Sequence, residues 1–176
     1  LSFFAQQSLL WAKGMNGTGG VGASIITDPT GAVYNSGQFS GTVDFDPGPG
    51  VYNITSLGIN DIYISKYDAN GNFIWVKQIG GPLASGYAIS IDRMNNGDLC
   101  ITGTYTGTVD FDPGAGITNS TSVSGSNDVY VAKYDSNGNL IWVKSIGSSG
   151  TESSSAIKVD PIGNSYITGS FMGVVD

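Results

Sequence analysis

The chain has no histidine, a single cysteine and a single glutamate, and lysine and arginine together supply only 7 of its 176 residues. Without histidine, the commonest general base and the commonest transition-metal ligand are missing. One cysteine cannot close an intramolecular disulfide. A formal net charge of -7 with so few cations argues against a nucleic-acid partner, because phosphate binding runs on lysine and arginine. No apolar run approaches the ~20 residues that a membrane-spanning helix needs. No long window keeps a 3.6-residue apolar period either, so helices are not expected.

What remains is 40% hydrophobic, with 27 glycines, 9 tyrosines and 3 tryptophans, a composition of strands and tight turns with enough apolar material for a core. The fold class is all-β.

Four phrases recur in fixed order with a period of about 66 residues. A tryptophan strand appears as "LLWAKGMNG", "FIWVKQIGG" and "LIWVKSIGS", around Trp11, Trp75 and Trp142. It is followed by "ASIITD", "AISIDR" and "AIKVDP", and then by "YNSGQFSG", "CITGTYTG" and "YITGSFMG". An acidic phrase comes next, "GTVDFDPGPG" at 41–50 and "GTVDFDPGAG" at 107–116, begun again as "GVVD" at 173–176. "DIYISKYD" and "DVYVAKYD" then lead through Asn70-Gly71 and Asn137-Gly138 back to the tryptophan strand. Asn-Gly between alternating apolar runs predicts a tight hairpin with two positive φ values. Asp28 to Gly31 and Asp160 to Gly163 read as type I turns with a bulge, and the middle copy, Asp92 to Gly97, is two residues longer.

Hairpin joined to hairpin gives a four-stranded antiparallel meander. Ile62 and Ile64 oppose Tyr63 and Tyr67 across it, and Ile74 and Val76 oppose Phe73 and Trp75, so both faces are apolar. A sheet that must be covered twice is sandwiched between copies of itself, and radial stacking of such copies makes a β-propeller with one blade per repeat.

"SIITDPTGAVYNSG", "AIKVDPIGNSYITG" and "DIYISKYDANGNFIW" resemble the SBBP β-propeller repeat, related to the NHL repeat, of long secreted or surface proteins in Bacteroidetes-type bacteria. The resemblance runs from Leu9 to Asp176. It implies a non-enzymatic scaffold or binding module, secreted or at the cell surface, with the "SIITD" strand innermost and the tryptophan strand outermost. Tight turns then lie on one rim, and the blade-crossing loops such as 80–87 and the long acidic connections lie on the other. A protein or glycan ligand is expected on that second rim, with Tyr87 and Glu152 as candidate contacts.

About 2.7 repeats fit in the chain, whereas propellers typically close with 4–8 blades, so a partial propeller completed by further blades of the same or another chain is expected. Residues 1–8 read as a signal-peptide remnant or an N-terminal edge, 9–13 as the outermost strand of the ring-closing blade, 14–79 as blade 1, 80–146 as blade 2 and 147–176 as an incomplete blade 3.

For chemistry, Asp44, Asp46, Asp110 and Asp112 can either hold Ca²⁺ with loop carbonyls or accept backbone N–H groups. Calcium is the one cofactor that the residues allow. Lys13, Lys66, Lys77, Lys133 and Lys144 recur as Asp partners or as a solvated edge. The tryptophans read as blade packing rather than a sugar ladder, and Cys100, in the place of Tyr34 and Tyr166, as a small buried apolar residue. Glu152 with Asp160 is the one conceivable acid/base pair, but nothing in the sequence sets a nucleophile beside them. A structural spacer in a large adhesin is one alternative; a third reading is part of a polysaccharide-active enzyme whose catalytic residues lie in other blades.

Overall fold

The computed structural model describes residues 11–17, 19–172 and 174. The expected signal remnant at 1–8 and the first two residues of the 9–13 strand lie outside this range. Chain order begins with β1 (Asn16–Gly17), β2 (Val21–Thr27) and β3 (Val33–Phe39), followed by a short hairpin of β4 (Thr42–Asp44) and β5 (Asn53–Thr55). β6 (Asp61–Tyr67) and β7 (Phe73–Ile79) complete a four-stranded antiparallel sheet in the order β2-β3-β6-β7. The pattern repeats with β8 (Ser85–Arg93), β9 (Leu99–Thr106), the hairpin β10 (Thr108–Asp110) and β11 (Asn119–Thr121), β12 (Asp128–Tyr134) and β13 (Leu140–Ile146). This second sheet is ordered β8-β9-β12-β13, and β14 (Ser153–Val159) with β15 (Ser165–Ser170) forms a third of two strands. Apart from one 3₁₀ turn at Val123–Gly125, the described residues contain no helix.

Five tight turns share one geometry. In each, the fourth residue is a glycine with positive φ, from 77° at Gly138 to 98° at Gly97 and Gly163, and its N–H donates to the carbonyl of the first residue. Asn70 and Asn137 do not adopt positive φ. The Asn-Gly pairs are therefore type I turns closed by a left-handed glycine, not the doubly left-handed form expected from their sequence. The reason is the preceding aspartate: Asp68 Oδ1 accepts the N–H groups of Asn70 (2.8 Å) and Asn72 (2.9 Å), which holds the first turn right-handed. The middle turn is not longer; it starts at Met94 rather than Asp92, because β8 runs on to Arg93.

Bulges at equivalent places adapt the sheets to their neighbours. The β6–β7 register skips Ile74 and the β12–β13 register skips Ile141, leaving those side chains 47% and 49% exposed. The simple alternation assigned to Ile74 fails for this reason. The innermost strands also bulge, between Gly22 and Ser24 and between Ala88 and Ser90. Opposite the bulge the second strand needs glycine: a Cβ on Gly103 would run into the Tyr87 carbonyl and come within 2.8 Å of Tyr130 Oη.

The sheets stack face to face. Ile62, Ile64 and Tyr34 from the first pack with Ile91, Leu99, Ile101, Tyr105, Tyr130 and Tyr134 from the second in one fully buried cluster. Burying each such side chain contributes about 1.5–3 kcal/mol, so the seam between blades holds the fold together. Innermost strands of successive blades touch, with Ile91 N–H donating to Ser24 Oγ (3.3 Å) and Val159 N–H to Asp92 Oδ2 (3.0 Å). Ile91 is 2% exposed in the completed seam, whereas its counterpart Ile25, on the open face of the first sheet, is 65% exposed.

Candidate functional site: the connection rim and the acidic hairpins

The acidic phrase does not stand off the rim as a free loop. The copies at 41–50 and 107–116 each fold back as a hairpin across their own sheet. Phe45 and Phe111 are 0% exposed, with Phe111 packed against Tyr105 (5.5 Å between centroids) and Tyr130 (5.0 Å). The Phe45 and Phe111 carbonyls accept the hydroxyls of Tyr67 (3.1 Å) and Tyr134 (3.0 Å), the last residues of β6 and β12 at their tight-turn ends. Asp110 N–H donates to Gly80 O (2.9 Å), so the second hairpin joins blade 1 to blade 2. Burial, then the nearby Tyr130, Asp112 and Asp110, pushes the Tyr134 phenol well above its ordinary value.

The four candidate carboxylates are engaged within these hairpins. Asp44 Oδ1 accepts from Asp46 N–H (3.0 Å) and Tyr52 N–H (2.8 Å), and Asp110 Oδ1 accepts from Asp112 (3.0 Å) and Thr118 (2.8 Å). Asp46 and Asp112 each accept the N–H two residues on, from Gly48 and Gly114, at 2.8 Å. This is the backbone-accepting arrangement, and among the described residues no three His, Cys, Asp or Glu side chains lie together.

Two further acids, Asp61 and Asp128, were not singled out by sequence and are almost wholly buried. Asp61 accepts from Leu57 N–H (2.8 Å), Gly58 N–H (3.1 Å) and Gln78 Nε2 (2.6 Å), and Asp128 from Val123 N–H (3.0 Å) and Ser126 Oγ (3.1 Å). They tie the end of each long connection to the third strand. Their recurrence ahead of "IYISKY" and "VYVAKY" was the signal available.

Of the expected rim contacts, Tyr87 is half-buried and its hydroxyl accepts from Asn60 Nδ2 (3.2 Å) across the first seam. Glu152 is 0% exposed, its carboxylate taken by Ser148 N–H (3.1 Å) and Ser148 Oγ (2.7 Å). It clamps a loop and offers no surface to a ligand. Glu152 and Asp160 bracket opposite ends of β14, so they cannot act as one acid/base pair.

The lysines divide among roles. Lys133 pairs with Asp98 (2.8 Å), and Lys66 sits over the Tyr34 ring (4.8 Å). Trp75 packs against Gly138, in the β12–β13 turn of the next blade, and Trp11 packs in the same way on Gly71 while its Nε1 donates to Ala69 O (2.9 Å). Residues 11–15 form no strand, contrary to expectation, yet they hold the place before blade 1 that 75–79 hold before blade 2. β1 reinforces this by pairing Asn16 with Asp44 as Gly80 bridges to Asp110. Cys100 is buried, and burial raises its thiol pKa.

The connection rim itself presents apolar side chains from a rigid base. Leu57, Ile59 and Leu83 are 61%, 63% and 88% exposed, on two loops joined by Ile59 N–H donating to Ala84 O (2.8 Å).

No protein-family model matches the chain. It is similar to an uncharacterised WD repeat-containing protein of Acanthamoeba polyphaga mimivirus, 26% identical over 194 residues that take in 94% of this chain. Those residues make up 14% of the relative's length. Repeated antiparallel sheets packed face to face and a repeat-protein relative agree. The chain is a run of β-propeller blades. As such it is a repeat-based binding or scaffold module; the finer SBBP assignment rests on the quoted phrases alone.

Proposed function

We propose that the chain is a non-enzymatic propeller segment, secreted or at the cell surface, that binds a protein or glycan on its connection rim. The observation that carries this reading is the exposure of Leu57, Ile59 and Leu83 on loops anchored by the buried Asp61 and by a completed seam. Exposed apolar side chains on a rigid frame are the usual mark of an interaction site. The secreted location is drawn from the resemblance. Further blades, of the same polypeptide or another, cover the open face around Ile25. The test is a binding screen of the intact chain against a glycan array and a panel of surface proteins, repeated with Leu57→Ser and Leu83→Gly. A ligand lost in both variants supports the module, and silence across the panel removes it.

The hairpins favour a second reading, a spacer in a large adhesin, because they wedge adjoining blades together. Calcium would stabilise such a spacer by adding its charge to Asp110 and Asp112. Calorimetry with Ca²⁺ decides: the engaged carboxylates lead us to expect no heat and an unchanged Tm in chelator.

A further inference from the structure

The apolar trio on the connection rim has three properties that together specify a partner. Leu83 has φ of 62°, in the left-handed region that bulky residues avoid, and is nonetheless almost wholly exposed. The conformation closes a turn over residues 81–84, with Pro82 and Leu83 at its centre and Ala84 N–H donating to Gly81 O (3.1 Å), and that turn holds the Leu83 side chain out from the rim. Further blades would not cover the trio, because it stands on the rim over a seam that is already closed, unlike Ile25 and Tyr166 on the open faces. The corresponding loops of the next seam, 123–126 and 147–151, carry a single apolar side chain, Val123. The patch is therefore particular to one place rather than a by-product of the repeat.

Charge selects what fits there. The connections, residues 40–61, 80–87, 106–128 and 147–152, hold seven acids and none of the chain's seven cations. The rest of the chain balances seven cations with seven acids, so the whole net charge of -7 belongs to the connections. A cavity opens beside Leu57, walled by Gln78, Gly80, Asp110, Asp112 and Pro113. An anionic glycan would be repelled, whereas a basic chain gains both from this field and from the apolar trio.

We propose that the rim over the first seam seats an extended, cationic polypeptide segment, its apolar side chains on Leu57, Ile59 and Leu83 and its lysines or arginines toward Asp110 and Asp112. This deepens, and rests on, the binding-module reading.

The experiment measures fluorescence anisotropy of labelled short peptides against the intact chain, comparing lysine–leucine, lysine–serine and glutamate–leucine alternations. The lysine–leucine peptide binds most tightly. Leu83→Gly weakens it about thirtyfold, as loss of an interface anchor does, while Tm does not fall, because glycine accepts the left-handed backbone. Asp112→Asn flattens the salt dependence. Equal binding of the glutamate–leucine peptide, or a Leu83→Gly variant that binds as well as the parent, overturns the proposal. If a neutral glycan binds instead and Leu83→Gly abolishes it, the partner's chemistry falls while the module stands. If rim variants leave every observed ligand unaffected, both fall.

Discussion

Replacing Phe111 by alanine tests whether the acidic hairpin is a wedge between blades or a loop free for a ligand. The ring is 0% exposed and edge-on to Tyr105, with an interplanar angle of 88°, and it belongs to the cluster that joins the first two blades. Removing a buried phenylalanine costs about 3–5 kcal/mol. At about 2–4 °C per kcal/mol for a domain of this size, Tm should fall by about 6–20 °C. Ile117→Ala, on the same hairpin but at a side chain 77% exposed, should change stability by no more than about 0.5 kcal/mol. Phe45→Ala should resemble Phe111→Ala, since Phe45 lies against Phe39 (5.3 Å) and Tyr63 (5.0 Å) in a separate cluster. The double variant should then be additive to within about 0.5 kcal/mol. Urea unfolding followed by tryptophan fluorescence provides the assay, with Trp75 packed at the seam. A Phe111→Ala variant as stable as Ile117→Ala would refute the wedge.

Two further outcomes follow from the hydrogen bonds. Tyr134→Phe should lose about 1 kcal/mol with its bond to the Phe111 carbonyl, whereas Tyr130→Phe should be neutral or more stable, because the buried Tyr130 hydroxyl has no partner among the described residues; equal losses in thermal melts would contradict this. Backbone and side-chain N–H groups of Asn72 hold Asp68 below its ordinary carboxyl value of 3.8, and the Lys133 ammonium does the same for Asp98. At Asp135, burial pulls upward but the Asn139 and Asn137 donors outweigh it. Each group is depressed in the folded state, so its stabilisation is complete above pH 3.8 and disappears as pH falls through the lower folded value. Urea midpoints should be flat near neutrality and drop in acid, less steeply in an Asp68→Asn, Asp135→Asn variant; a steeper drop in that variant would reverse the assignment.

Much of the architecture is written in the order of the phrases. A 66-residue period, strands apolar on both faces and glycine-ended turns are local or repetitive features, and they determine four-stranded blades that must stack. Cys100 in the place of Tyr34 was legible in the same way, because register within a repeat fixes which face a residue shares. What tertiary structure decided is where the non-repeating backbone goes. Alternation in the "VDFDPG" phrase already turns its phenylalanine away from the aspartates and toward the core between blades, but only the fold sets Phe111 on the aromatic face made by Tyr105 and Tyr130 and draws the connection down as a hairpin. Glu152 reads as an exposed rim acid in sequence and only recurrence marks Asp61, yet both are buried because nearby loop N–H groups need acceptors. Leu83 next to Ile59, and the bulges at Ile74 and Ile141, depend on loops and strands meeting across the fold. Periodicity reports which residues must be covered; only packing in three dimensions decides what covers them and which apolar side chains are left facing water.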